Sequence, residues 1–310
     1  MRILVTGAGG FIGSHLTERL VADGHKVTAL ARYTGRDTYG WLDEVSGCRR
    51  ERGDVRDAHF MFDLVRGHDA VYHLAALGSV PYSAESPQQF IDTNITGTLN
   101  VAKACLAHGA RLIFASTSEV YGNHAEDALT EASVPFPDSV YAVTKLAAEG
   151  LLQKLFAQRT PRLTILRMFN TYGPRQSVRA VIPRIIAQAL APKDKDPAIR
   201  LGNQTTRDFV FVDDTVDALV RALKLPVVGP LNVATGVETS LSAVCALVSS
   251  YPVVYRKSQG RALEVWRLCG DSSRFRSLTG WAPKVSLADG LSLTVDWFSK
   301  RGTLVQENFI

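Results

Sequence analysis

The sequence predicts an α/β fold: a doubly wound parallel sheet followed by a smaller, mixed α/β lobe. Three observations carry this. Short β-branched apolar runs alternate with helical patterns through the first half. The first run passes directly into a glycine-rich turn, Thr6-Gly7-Ala8-Gly9-Gly10-Phe11-Ile12-Gly13. The alternation stops after Arg167.

Taken in order, Arg2–Thr6, Lys26–Leu30, Cys48–Arg52, Ala70–Leu74, Arg111–Ala115 and Leu163–Arg167 read as strands. Helical stretches lie between them at Phe11–Ala22, Asp57–Val65, Pro87–His108 and Val140–Gln158. Such a sheet binds its ligand at the C-terminal strand ends. Beyond it come a helix near Ile182–Leu190 and the polar loop Ala191–Pro197, the expected edge of a lid. A strand at Val210–Val212 leads into a helix from Asp213 to Leu223, and Leu231–Ala234 reads as a buried strand. A helix, an extended piece near Ala262–Leu268 and a terminal helix close the chain. Residues 1–168 are expected to form the dinucleotide-binding domain, to which the strand near 231–234 returns. Residues 169–310 are expected to be mainly the substrate-binding lobe.

Composition excludes several classes. The net charge of +5 is scattered rather than gathered into a stripe, which suits a small anionic ligand better than a nucleic acid. No apolar run reaches the length of about 18 residues needed to cross a bilayer. Cys48, Cys105, Cys245 and Cys269 are far apart, with no metal or redox spacing, as expected of free thiols in a reducing cytoplasm. The apolar N-terminal run enters glycines and is unlike a signal peptide. A soluble cytoplasmic protein without a metal, nucleic-acid or membrane partner is expected.

Gly7, Gly10 and Gly13 allow a tight turn, close approach of backbone to a pyrophosphate, and helix–strand packing. With Phe11 and Ile12, they open a helix whose N–H groups suit phosphate, the signature of a Rossmann-type nicotinamide dinucleotide site. The second strand ends Leu30-Ala31-Arg32-Tyr33, with no carboxylate before Asp37. Arg32, with Arg36, therefore suits the 2′-phosphate of NADP, although an arginine stacked on adenine also suits NAD. A tightly bound NAD or NADP is expected, with a lean to NADP. Asp54 and Val55 follow the third strand toward the adenine edge, and Leu74, Ala75 and Ala76 let the cofactor pass.

Tyr141 and Lys145 lie four apart on one helix face. A neighbouring ammonium and a nicotinamide cation lower a phenol's pKa from its usual value near 10, so that it can take a hydroxyl proton as hydride leaves. Thr117, about 24 residues upstream, is placed to hydrogen-bond the same hydroxyl. Glu119 adds a general base that simple alcohol oxidation does not need, and Ser118 beside it is a further catalytic candidate. His73 reads as a packed core histidine, Asp213-Asp214 as a helix N-cap, and Arg167 as a partner of either a phosphate or a carboxylate.

Together these motifs resemble the extended short-chain dehydrogenase/reductases, the sugar-nucleotide epimerases and dehydratases. The likeness runs through the glycine loop, His73-Leu74-Ala75-Ala76, Asn94 with Gly97-Thr98, Ser116–Gly122, Tyr141/Lys145, Asn170–Arg175 and Arg207-Asp208-Phe209. It implies a nucleotide-diphosphate sugar as substrate. Asn170 and Arg207 resemble residues holding the pyrophosphate, Val181 and Ile182 lie near the nucleotide base, and Asn94 resembles a cofactor-site residue that steadies the active-site helix. Ser79 and the following Pro81-Tyr82-Ser83 are candidates for the sugar pocket, and Arg261, Glu264 and Arg267 for the nucleotide. The helices Pro87–His108 and Val140–Gln158 resemble the pair that forms the family's four-helix homodimer interface.

Position 119 discriminates within the family. Glu119 resembles 4,6-dehydratases and UDP-glucuronate decarboxylases more than 4-epimerases. Ser118 stands where dTDP-glucose dehydratases have Asp. Tyr39–Asp43, Ala180–Pro183 and Gly173–Ser177 are similar to N-acetylhexosamine-nucleotide 4,6-dehydratases of the legionaminic-acid type. The resemblance implies C4 oxidation, C5 proton abstraction by Glu119, loss of the C6 water and hydride return. A decarboxylase would want a cation near C6, for which Arg175 or Arg179 is available. A cofactor-binding protein without turnover would be expected to lack Tyr141, Lys145 or Glu119.

Overall fold

The computed structural model describes residues 1–35, 37–157, 162–191, 198–225, 229–255 and 265–301. Its centre is a seven-stranded, all-parallel sheet. The first six strands are β1 (Arg2–Thr6), β2 (Lys26–Ala31), β3 (Arg49–Arg52), β4 (Ala70–His73), β5 (Arg111–Thr117) and β6 (Leu163–Met168). Pro230–Val233 pairs with β6 as the seventh, and the spatial order from it runs β6-β5-β4-β1-β2-β3. Strand order reverses between β1 and β4, which opens a crevice at their C-terminal ends.

The period of two along each strand divides the core. Ile3, Val5, Ala29, Tyr72 and Ile113 pack on one face, while Leu4, Leu30, Val71, Leu112 and Phe114 pack on the other. Helix α1 (Phe11–Ala22) packs on the first face against the helix Val212–Ala222; Ala58–Val65, Thr98–His108 and Val140–Phe156 associate beside one another on the second.

Two expected elements differ. Pro87–His108 is not one regular helix: Ile91–Gly97 is π-helical. The Thr98 hydroxyl donates to the Asn94 carbonyl (2.6 Å), while the Asn94 side chain is drawn to Leu77 and Thr144. Local side-chain bonds of this kind compete with the regular ladder. Asp213 and Asp214 sit in the first turn of Val212–Ala222 rather than at its N-cap, which is Phe211. The Asp214 carboxylate instead accepts from the backbone N–H groups of Lys284 and Val285 (3.0 and 3.1 Å), joining the helix to the C-terminal segment.

The second lobe is built around Thr206–Phe211, which pairs with Asn170–Tyr172, Glu238–Ser240 and Arg267–Leu268. Asp208 is buried within it, accepting from the N–H groups of Thr235 (2.9 Å), Gly236 (2.8 Å) and Gly270 (3.3 Å). Val253–Tyr255 pairs with Ile199–Leu201. Most of the polar loop from Ala191, together with Arg36, Gln158, Arg261 and Glu264, lies outside the described residues. No helix among the described residues is long and apolar enough to cross a membrane.

Candidate active site

The glycine loop is shaped by backbone contacts that leave no room for side chains. Gly7 has φ +70°, and a Cβ there would lie 2.7 Å from the Ala75 nitrogen. A Cβ on Gly13 would meet the Gly7 carbonyl oxygen at 2.3 Å. Gly10 occupies the N-cap of α1 without side-chain capping, so the helix keeps its first N–H groups for a ligand. Beside the loop lies a cavity of about 1020 Å³. Gly7, Gly10, Phe11, Arg32, Asp54, Val55, Leu74, Ala75 and Ala76 line it, all expected from the sequence. Ile12 packs against the core behind them, and Gly13 is buried. A bare glycine cradle, a free helix N-terminus and a long crevice fit a dinucleotide.

Asn94 serves differently. Its amide donates to the Leu77 carbonyl and the Thr144 hydroxyl (both 3.0 Å) and accepts from the Leu77 N–H (2.9 Å). It ties the segment after β4 to the helix carrying Tyr141, and its side-chain bonds go to protein. The sequence missed other cavity residues: Tyr39, Trp41, Glu44 and Arg301.

At the end of β5, the chain turns at Thr117 into the short 3₁₀ segment Ser118–Tyr121. Thr117 Oγ1 accepts from the Glu119 N–H (3.2 Å), and its side chain also hydrogen-bonds Tyr141. Ser139 caps the helix Val140–Phe156, setting Tyr141 in its first turn. Burial pushes the Tyr141 phenol up to about 12; Glu119 adds to the rise, and Thr117 opposes it. Thus Thr117, Glu119 and Tyr141 converge, while Ser118 is buried beside them.

Lys145 Nζ donates to the Ala115 carbonyl (2.6 Å) and lies 4.0 Å from the centre of the Phe114 ring. Burial lowers it to about 7, and Glu149 opposes that shift. Glu149 accepts from Ser116 (2.5 Å) and from Arg167 (2.7 Å), which settles Arg167 as a carboxylate partner. His73 is buried between Thr6 and Thr98 (2.7 and 3.0 Å) and pushed down to about 3 by burial, then by Lys145.

The Lys145 shift has a sign in stability. Its folded pKa lies below the ordinary 10.5, so charging it costs the fold more than the unfolded chain. The penalty is complete below about pH 7 and fades as pH rises toward 10.5. Tyr141 shifts in the other direction and acts only above about pH 10. Between pH 7 and 10, Lys145→Met should therefore flatten the rise in thermal stability of the cofactor-free protein. Melting curves of wild type and variant across that range check it, and identical slopes would contradict it.

The expected substrate residues scatter more widely. Arg175 has φ +67° and reaches back to α1, where Nη1 donates to Glu18 (2.9 Å) and lies 3.4 Å from the Ser14 hydroxyl. It lines the glycine-loop cavity. Arg207 donates to the Val265 and Thr206 carbonyls (2.7 and 2.8 Å). Asn170 Oδ1 is buried and has no hydrogen-bond partner among the described residues. Ser79 caps the short helix Val80–Glu85. Ile182 is a correction: its side chain is buried in the core, and Val181 packs partly against that core. Arg267 pairs with Glu238 and Asp127 (2.7 and 3.0 Å).

A family model, the NAD dependent epimerase/dehydratase family, matches residues 3–234. The chain belongs to this family. Its fold is that of the extended short-chain dehydrogenase/reductases. Among its relatives is a UDP-N-acetyl-alpha-D-glucosaminuronate decarboxylase from Bacillus cytotoxicus, 35% identical over 96% of this chain and 97% of the relative. A dTDP-glucose 4,6-dehydratase from Mycobacterium tuberculosis is 32% identical over 96% of this chain and 93% of its own. The crystal structure of UDP-glucuronic acid 4-epimerase from Bacillus cereus with UDP-glucuronic acid and NAD superposes with a TM-score of 0.87. That pair is 31% identical and covers 97% of this chain and 100% of the other. Decarboxylase, dehydratase and epimerase relatives thus stand at similar distances.

Proposed function

We propose that this protein is a nucleotide-sugar 4,6-dehydratase working with a tightly held nicotinamide dinucleotide. The observation that carries this reading is Thr117, at the end of β5, hydrogen-bonded both to the Glu119 backbone N–H and to Tyr141, which sets Glu119 beside the redox groups. An epimerase needs only the redox groups, whereas a carboxylate beside them allows proton removal from C5 of a 4-keto sugar. When bound, the nicotinamide accepts the C4 hydride and later supplies one to C6. Tyr141 takes the C4 hydroxyl proton while Thr117 orients that hydroxyl, the positive charge of a bound oxidised nicotinamide offsetting the upward push of burial on the phenol. Glu119 removes the C5 proton made acidic by the ketone and delivers it to the departing C6 hydroxyl, which leaves as water; as C6 is reduced, a solvent proton returns to C5 through Glu119. Residues 1–168 with Pro230–Val233 hold the cofactor in this reading. Residues 169–310 mainly hold the nucleotide, with Asn170 and Arg207 toward its pyrophosphate.

The position of Arg175 removes one of the two candidate cations for decarboxylation, and the other, Arg179, is exposed. A decarboxylase gains from a cation beside a C6 carboxylate, but Arg175 is drawn to Glu18 on α1. Turnover in deuterium oxide separates this reading from epimerisation. A dehydratase product carries deuterium at C5, whereas retention of the original C5 hydrogen would overturn the Glu119 assignment.

On the adenosine side, Arg32 lines the cavity, and the Asp37 carboxylate is paired with Arg52 (2.7 Å). This supports a lean to NADP. Arg32→Ala should weaken NADP retention by about tenfold and leave NAD nearly unaffected, the loss of one charged hydrogen-bond partner. Equal loss of both cofactors would contradict the lean. We also read the protein as a cytoplasmic homodimer joined through Thr98–His108 and Val140–Phe156. The exposed Val143 and Leu151 support that face.

A further inference from the structure

One wall of the glycine-loop cavity is built from Tyr39, Gly40, Trp41 and Glu44 together with Arg301. The Trp41 N–H donates to the Gly9 carbonyl (3.1 Å). Gly40, at φ +68°, lies so close that a Cβ there would sit 2.6 Å from the same oxygen. A Cβ on Gly9 would in turn meet the Tyr39 carbonyl oxygen at 2.4 Å. The segment Tyr39–Trp41 is therefore pressed directly onto the glycine loop. It continues into the 3₁₀ turn Gly40–Glu44, whose Glu44 accepts two hydrogen bonds from Arg301 (2.6 and 2.7 Å).

Arg301 ends the last described helix, Leu287–Arg301. Its guanidinium lies 4.8 Å from the centre of the Trp297 ring and 5.3 Å from that of Trp41, and the two rings meet edge to face at 5.4 Å. A weakly hydrated planar cation suits both the carboxylate fork and the aromatic faces. An exposed ion pair alone holds little. Here the same guanidinium is fixed by two bonds and two rings, and Glu44, Trp41 and Arg301 all line the cavity.

We propose that the C-terminal helix is a latch on the cofactor. Arg301, seated among Glu44, Trp41 and Trp297, holds Tyr39–Glu44 against the glycine loop, and the dinucleotide leaves only when that contact opens. The latch would give retention of one cofactor through the proposed two-way hydride transfer a physical basis outside the glycine loop. It rests on the dinucleotide reading of the cavity. Arg301 and Glu44 are positioning residues in it and take no part in proton or hydride transfer.

The test loads the purified protein with NAD or NADP, removes free cofactor and follows release over time. Wild type, Arg301→Met, Arg301→Lys, Glu44→Gln and the Arg301→Met/Glu44→Gln double variant are compared. Melting curves of the cofactor-free forms report folding. Arg301→Met and Glu44→Gln should each release cofactor on the order of tenfold faster, equivalent to about 1.4 kcal/mol. The double variant should be no faster than either single one, since both remove the same contact. Arg301→Lys, which keeps charge but not the planar fork, should fall between. Folded variants that release at the wild-type rate, or single effects that add in the double variant, would overturn the latch. A wild type that takes up neither dinucleotide would overturn instead the cavity reading beneath it.

Discussion

Glu119→Gln should lower overall turnover by about a hundred- to ten-thousandfold, the range of a lost general base, while the first oxidation survives. The side chain keeps its size, so packing changes little. Glu119 pushes the Tyr141 phenol upward, and removing its charge makes Tyr141 easier to ionise. C4 oxidation thus keeps its base, but the C5 proton has none. Reduced cofactor should build up after substrate is added and be visible by its near-ultraviolet absorbance. Full turnover in this variant would remove the reason for placing C5 chemistry at this site.

Gly13→Ala should abolish cofactor retention and destabilise the fold by about 1–3 kcal/mol, the usual cost of overpacking. The added methyl would lie 2.3 Å from the Gly7 carbonyl oxygen and 2.8 Å from Ala8 Cα. Both neighbours are backbone, so no side chain can swing aside. Helix α1 must move away from β1, carrying its N-terminal N–H groups out of register with the cavity. Cofactor content after purification and a thermal melt measure the two effects. Normal retention would show that the close packing is not needed.

Why some of this was legible in the sequence and some was not is a matter of distance along the chain. Gly7, Gly10 and Gly13 encode their geometry in three-residue steps, and Tyr141 and Lys145 encode theirs in one helical turn. Glu119 follows Thr117 on the same turn after β5, so its company with Tyr141 needed only the alternation of strands and helices. The turn of Arg175 back toward α1 was not legible, because its direction depends on a left-handed residue, at φ +67°, which no periodicity announces. Ile182 sits in a motif near the expected nucleotide but turns into the core, as the amphipathic pattern of its helix requires. The π-helical stretch around Asn94 arises from side-chain bonds to Leu77 and Thr144, which a regular helix pattern does not contain. Arg301 lies 257 residues from Glu44, and nothing local to either points to the other.

The central claim is the reaction itself, and product mass tests it most directly. The purified enzyme is incubated with UDP-, dTDP- and GDP-linked hexoses, N-acetylhexosamines and hexuronates, and each nucleotide sugar is followed by mass spectrometry. The account predicts that a hexose or N-acetylhexosamine nucleotide loses one water and gains a 4-ketone. Loss of carbon dioxide from a hexuronate, or conversion with no change of mass, would contradict it.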